Sequence, residues 1–238
     1  MGKFFTNNLL IIIGTVILLF VVFAFIAPIA AHLGWDWLAK PIYFVYQFLC
    51  HQRPWRSIHL FDHQVAFCAR DTFIYLGLGI SAYLVHFLKL KPLKWYVAII
   101  LTLPIAFDGG IQTVGEYISL SSDNPIFFYA STNFLRILTG GLFGLAIGFL
   151  LFGVLYETLL DDLGKKIPEQ KWTKTPLVLL FSYFGLIILY VIIVQFWNIT
   201  STNYKPLSMP FDHIRIFPGV NYEYVDRAGH GCKTDKCS

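Results

Sequence analysis

Residues 4–35 carry no formal charge. A helix crosses the hydrocarbon of a bilayer with about 20 mostly apolar residues, so this run alone commits the start of the chain to lipid. The apolar region of a signal peptide is shorter, about 7–15 residues, and the run reads as an uncleaved anchor. Residues 1–6 also fit a myristoylation pattern; an acyl chain beside a spanning helix adds little hold, and the match is read as chance. Composition extends the conclusion to the whole chain. Of 238 residues, 13% are charged and 56% hydrophobic, against about 25% charged in soluble domains. A freely soluble enzyme is excluded. Four cysteines are too few for a disulfide-dense scaffold, and the net charge of +4 is spread rather than massed in a stripe, so nucleic acid is not an expected partner.

The sequence predicts an all-α, polytopic transmembrane helix bundle with about five spans, an interfacial helix and an extracytoplasmic C-terminal tail. The spans fall at about 9–31, 64–88, 95–114, 133–156 and 176–199. Residues 1–200 form the transmembrane domain and 201–238 the polar tail. The apolar stretch 37–49 is too short to span and carries Lys40 and Pro41, so it reads as interfacial or re-entrant. No phosphate loop, nucleophile elbow, zinc-protease motif or dinucleotide fingerprint is present, and no repeat is evident.

Orientation follows from the loops. Lys89, Lys91 and Lys94 join spans two and three; Lys165, Lys166, Lys171 and Lys174 join spans four and five. The 115–132 connection has no Lys or Arg, and the 32–63 connection has Lys40, Arg53 and Arg56. The bias predicts a multi-pass cell-membrane protein with a cytoplasmic N-terminus and an extracytoplasmic C-terminus, although five positive residues in the tail pull the other way. All four cysteines, all six arginines and every histidine except His86 then lie outside, where thiols can oxidise.

The densest chemistry is Cys50-His51-Gln52-Arg53-Pro54-Trp55-Arg56-Ser57, followed by His59, His63 and Cys68-Ala69-Arg70-Asp71. On a helix, Cys68, Asp71, Thr72 and Tyr75 share a face, and Arg70 points towards Ile74 and Gly77. Asp108 and Gln112 on span three and Asn133, Arg136 and Gly140 on span four reach the same level. Counted from Lys94 at 1.5 Å per residue, Asp108 lies roughly 20 Å into the membrane. A carboxylate there needs a proton or a cation, with Arg136 or Arg70 as the partner. Cys50 and Cys68 fit either a disulfide or, with His51 and with His59, His63 or Asp71, a site for zinc, copper or iron. Arg53 and Arg56 fit a grip on lipid phosphates.

Gly140, Gly144 and Gly148 form a small-residue stripe that lets another helix approach closely, read as internal packing in preference to a partner subunit. Asp108-Gly109-Gly110 suggests a break in span three opening onto a polar cavity. In the tail, Cys232 and Cys237 fit a small disulfide loop or, with His230, a soft-metal site. Asn198-Ile199-Thr200 fits a glycosylation acceptor but abuts the membrane.

At Cys50-His51-Gln52, Arg56-Ser57, Cys68-Ala69-Arg70, Tyr75 and Gly77 the chain resembles a family of small prokaryotic membrane proteins known only as a domain of unknown function. The resemblance extends through Asp108-Gly109, Gln112, Asn133, Arg136 and Thr139-Gly140, roughly residues 45–150. It implies one shared site across three helices and supplies no reaction. In that family a further Cys usually follows the Cys-Ala-Arg, and a Gly stands two positions beyond. Here those positions are Asp71 and Phe73, which removes one thiol from a family-type three-thiol metal site.

Three functions remain open on the sequence. The first is an accessory or subunit membrane protein binding a transition metal through Cys50, His51 and Cys68, or an anionic head group through Arg53, Arg56, Arg70, Gln112, Asn133 and Arg136. The second is an intramembrane enzyme on a lipid-linked or phosphorylated substrate, with Asp108 as general acid or base and Arg136 holding phosphate. The third is a structural subunit of a larger membrane complex.

Overall fold

The computed structural model of the chain describes residues 2–50, 52, 56–120, 131–164, 174–200, 224–225 and 231–232. Among these described residues six helices follow one another: α1 (Gly2–His32), α2 (Asp36–Tyr46), α3 (Ala69–Leu88), α4 (Trp95–Leu120), α5 (Asn133–Asp162) and α6 (Lys174–Thr200). Between α2 and α3 lies an antiparallel hairpin, β1 (Ser57–Leu60) and β2 (His63–Cys68). In the tail the short strands β3 (Tyr224–Val225) and β4 (Gly231–Cys232) pair with each other. Among the described residues five helices are long and apolar enough to cross a membrane, over Asn8–His32, Ala69–Leu88, Trp95–Val114, Asn133–Asp162 and Lys174–Ile193. The protein is the expected helical membrane bundle, with two small pieces of sheet added.

The centre of the bundle is the α3–α5 pair, with α1 on the far side of α3 and with α4 and α6 flanking α5. The small-residue stripe explains the closeness of that pair. A Cβ on Gly77 would stand 2.8 Å from the Leu145 nitrogen, and one on Gly140 would stand 2.6 Å from the Arg70 carbonyl oxygen. Backbone lies against backbone, so the stripe serves internal packing. Outward-facing Leu180, Phe181, Phe184 and Ile188 on α6 are exposed, as side chains whose solvent is lipid should be.

Two expectations need correction. Span two does not begin near Gln64: residues 63–68 are strand, and α3 starts at Ala69 with Cys68 as its N-cap, the sulfur accepting from Asp71 N at 3.4 Å. The chain doubles back at Phe61 and Asp62, both left-handed with φ of 51° and 67°, so that Leu60 pairs with His63. Nor is span three broken at Asp108-Gly109-Gly110, where α4 runs on without interruption. Gly109 has a packing use instead: a Cβ there would stand 3.1 Å from Nη1 of Arg70. Glycine lets a guanidinium lie against the α4 backbone.

The two ends of the bundle differ chemically. At one end Lys174 Nζ donates to Leu88 O at 3.1 Å, and Thr175 Oγ1 donates to Lys91 O at 2.9 Å. At the other end the start of α3, the start of α5 and the second half of α4 converge beneath the hairpin.

Candidate functional site

An aromatic cluster sets the positions of Cys50 and Cys68. Tyr46, the last residue of α2, stacks on Phe20 of α1 with centroids 4.7 Å apart and meets Phe67 of β2 edge-on at 4.6 Å. Phe67 in turn stacks on Tyr75 of α3 at 5.2 Å. Four elements are thus joined through four rings, with the Tyr46 hydroxyl donating to the Phe20 carbonyl. The Tyr46 carbonyl accepts the Cys50 N–H at 2.9 Å, and Cys68 directly follows Phe67. Fixing the rings therefore fixes both thiols. A second set of bonds holds the turn: Gln52 Nε2 donates to Tyr43 O at 2.7 Å, Gln64 Nε2 to Gln52 O at 3.1 Å, and the Tyr43 hydroxyl to Gln64 O.

The thiols meet as a result. Cys50 Sγ accepts the Cys68 N–H at 3.1 Å. The ligand atoms of Cys50, Cys68 and Asp71 all lie within 4.8 Å of one another. Both cysteines are free thiols, Cys50 buried and Cys68 half-buried. The bond with Cys68, then burial, then the negative charge carried nearby push the Cys50 thiol well above its ordinary value. The third member of the group is Asp71, where the sequence offered His59 or His63 equally.

Directly inside this cluster lies a layer of arginines. Arg70, between Cys68 and Asp71 in sequence, ion-pairs through Nη2 with Oδ2 of Asp108. Of the two candidate partners for Asp108, Arg70 forms an ion pair with it. Thr139 Oγ1 stands 3.4 Å from the same carboxylate oxygen. Arg136 is 3% exposed and donates from Nη1 to Asn133 Oδ1 at 2.8 Å. The Gln112 amide oxygen, oriented by its neighbours, accepts from Arg136 Nη2 at 2.9 Å and from Arg56 Nη2 at 3.1 Å. Asn133 Nδ2 reaches the Ser57 carbonyl at 3.4 Å, so α5 is tied to the hairpin. Arg56, Arg70, Asp108, Gln112, Asn133 and Arg136 therefore belong to one layer spanning three helices.

Several anticipated site residues fall elsewhere. His51, Arg53, His230 and Cys237 lie outside the described residues, and for Cys232 only the backbone in β4 is described. Tyr43 was not foreseen as part of the site, and Ser57, expected within the loop that walls it, contributes its backbone carbonyl. The hairpin that brings Ser57 to Asn133 leaves no ordinary turn signature in the sequence.

His59 of β1 is 9% exposed, and burial lowers its pKa to about 4. A group depressed below its unfolded value of 6.5 contributes stability above pH 6.5 that is lost as pH falls through 4. The shift corresponds to about 3 kcal/mol. Protection factors in the hairpin of lipid-embedded protein, corrected for the intrinsic exchange rate at each pH, should fall from pH 7 to pH 4.5, and His59→Leu should flatten that fall; an equally steep fall in the variant rejects the assignment.

Comparison with known proteins agrees with this architecture. A family model described as predicted membrane protein (DUF2085) matches residues 50–150, the segment that holds the hairpin, the thiols and the arginine layer. The uncharacterized protein MJ1492 of Methanocaldococcus jannaschii is 33% identical over 152 residues, which is 60% of this chain and 89% of that protein. No solved structure matches. With the relative covered nearly end to end and the family segment coinciding with the polar layer, the chain belongs to the DUF2085 family of predicted membrane proteins.

Proposed function

We propose that this membrane protein holds a transition metal at Cys50, Cys68 and Asp71, on the extracytoplasmic side. The observation that carries the reading is the convergence of two sulfurs and a carboxylate within 4.8 Å, from residues on a turn, a helix cap and a first helical turn. Two soft thiolates with one oxygen ligand suit zinc, iron or copper rather than magnesium or calcium. Asp71 stands at the position where the family usually has a further Cys, so a carboxylate supplies the third corner. His51 adjoins Cys50 in sequence and offers a fourth donor type. A bound cation favours the thiolate form, reversing what burial does to Cys50.

The arginine layer supports the reading from beneath. Arg70 is flanked in sequence by two of the proposed ligands and is held by Asp108, so the helix start that presents Cys68 and Asp71 is anchored by an ion pair. Support for the orientation comes from the loops: Lys89, Lys91, Lys94 and Lys174 cluster at the opposite end of the bundle, as the positive-inside bias expects of a cytoplasmic end.

The test is elemental analysis of protein purified in lipid without chelators. About one zinc, iron or copper per chain is expected, reduced to background by Cys50→Ser or Cys68→Ser. Asp71→Asn should weaken affinity by at least the roughly 10–100-fold that loss of an outer-shell partner costs. Protein that keeps its folded melting transition but carries no metal, and takes up none on titration with zinc or iron, rejects the function.

A further inference from the structure

The two sulfurs proposed as metal ligands are also each other's neighbours, and they are unequal. Cys50 Sγ accepts the Cys68 N–H at 3.1 Å, and both sulfurs lie in the group whose ligand atoms are within 4.8 Å. An S–S bond is about 2.05 Å long, and these two sulfurs already lie within 4.8 Å of each other. The sulfurs differ in access. Cys50 is 5% exposed, whereas Cys68 is half-buried at the mouth of α3. A sulfur reached from outside and a second sulfur hidden behind it is the arrangement of an exchange thiol with its resolving thiol.

We infer that Cys68 and Cys50 form a thiol–disulfide exchange pair, Cys68 receiving an incoming disulfide and Cys50 resolving it, so that oxidation closes the metal site. The inference rests on the reading of these residues as one site, but its chemistry needs no metal. In the first step the Cys68 thiolate attacks one sulfur of a small disulfide, RSSR. The Cys68–S–S–R bond forms, the RS–SR bond breaks, and RS⁻ leaves to take up the proton released from Cys68. In the second step the Cys50 thiolate attacks the Cys68 sulfur, and a second RS⁻ leaves and is protonated. Two cysteine thiols are oxidised to one disulfide, and one RSSR is reduced to two RSH. With both sulfurs consumed, Asp71 alone cannot hold a soft metal.

The probe is glutathione disulfide, applied to full-length protein in lipid nanodiscs stripped of metal, with adducts located by peptide mass mapping. Wild type should pass through a Cys68–glutathione adduct to a Cys50–Cys68 crosslink. Cys50→Ser should accumulate the Cys68 adduct, and adduct formation at Cys50 in Cys68→Ser should be about tenfold slower or more, because access limits exchange. Either variant could fail to fold, so the order of adducts in wild type is an independent readout. An early adduct at Cys50, or no Cys50–Cys68 crosslink, overturns the inference. A parallel sample is loaded with zinc and its stoichiometry measured before oxidation. Bound zinc should suppress the crosslink about tenfold. A crosslink that forms as fast in protein with zinc bound overturns the coupling to the metal site. Zinc stoichiometry of zero sinks the metal reading, and the metal-free arm still decides the exchange chemistry.

Discussion

Replacing Gly144 by alanine should cost about 3 kcal/mol or more and separate α3 from α5. A Cβ at this position would fall far inside van der Waals contact with the Ile74 carbonyl oxygen, with the Ile74 carbonyl carbon and Cα both 2.9 Å away. Backbone cannot rotate aside as a side-chain tip does, so the helices must move apart. Every contact in the central pair of the bundle then loosens at once, because dispersion attraction falls steeply with distance. Gly185→Ala is the control. It lies on α6, where nothing stands within 4 Å of the place an added methyl would take, and helix propensity favours alanine by up to about 1 kcal/mol. Thermal melting in one lipid composition should therefore show a large fall for Gly144→Ala and no fall for Gly185→Ala. Equal melting temperatures would mean that the stripe does not set the helix spacing.

That stripe was legible because it depends only on residue size and helical period. The five spans were legible for a similar reason: hydropathy over about 20 residues needs no knowledge of tertiary contacts. The hairpin was not. Its turn residues, Phe61 and Asp62, both adopt positive φ, a geometry that usually announces itself through Asn-Gly or Asp-Gly. Phe61 stacks on His32 of α1 at 4.7 Å, a long-range contact that helps hold an unfavourable backbone and cannot be read locally. The run Val65-Ala66-Phe67 is wholly buried, so it lacks the alternation of a half-exposed strand and merges with the helix that follows. The supposed break at Gly109 failed for the opposite reason. Glycine is a weak helix former, but here its missing side chain makes room for Arg70.

Among the described residues, the sequence put Arg56, Arg70, Asp108, Gln112, Asn133 and Arg136 at one level and left their pairings open. Arg70 was expected on the side of Ile74 and Gly77, and its backbone does lie there, against Gly140. Its guanidinium nevertheless reaches Asp108, because the side chain is long and the start of α3 stands beside the second half of α4. Asp71 joins the thiols because Cys68 caps the helix in which Asp71 occupies the first turn. Helical spacing alone treats those two residues as three steps along one face and misses the cap.

The Arg70–Asp108 pair gives the second large effect. The Asp108 side chain is 6% exposed and the Arg70 side chain 18%, so the pair holds two charges in a medium that solvates neither well. Asp108→Asn should destabilise the folded bundle by about 3–5 kcal/mol, the cost of leaving one buried charge uncompensated. Arg70→Met should do comparable damage by removing the cation paired with the carboxylate. Combining Arg70→Met with Asp108→Leu removes both charges and should recover most of the loss, since two apolar groups in place of a buried pair are often neutral. The recovery separates an electrostatic role from simple damage to packing, in which case the losses would add. Single variants that each cost less than about 1 kcal/mol, as exposed pairs do, would place the pair in contact with water. The same variants also test whether the ion pair holds the thiol site in shape. Arg70 sits between Cys68 and Asp71, so freeing its guanidinium loosens the helix start that presents both. Metal affinity should fall in Asp108→Asn even though no proposed ligand has changed, and should return with stability in the double variant. A double variant that melts like wild type yet does not recover the metal would assign the ion pair to the site itself rather than to the fold.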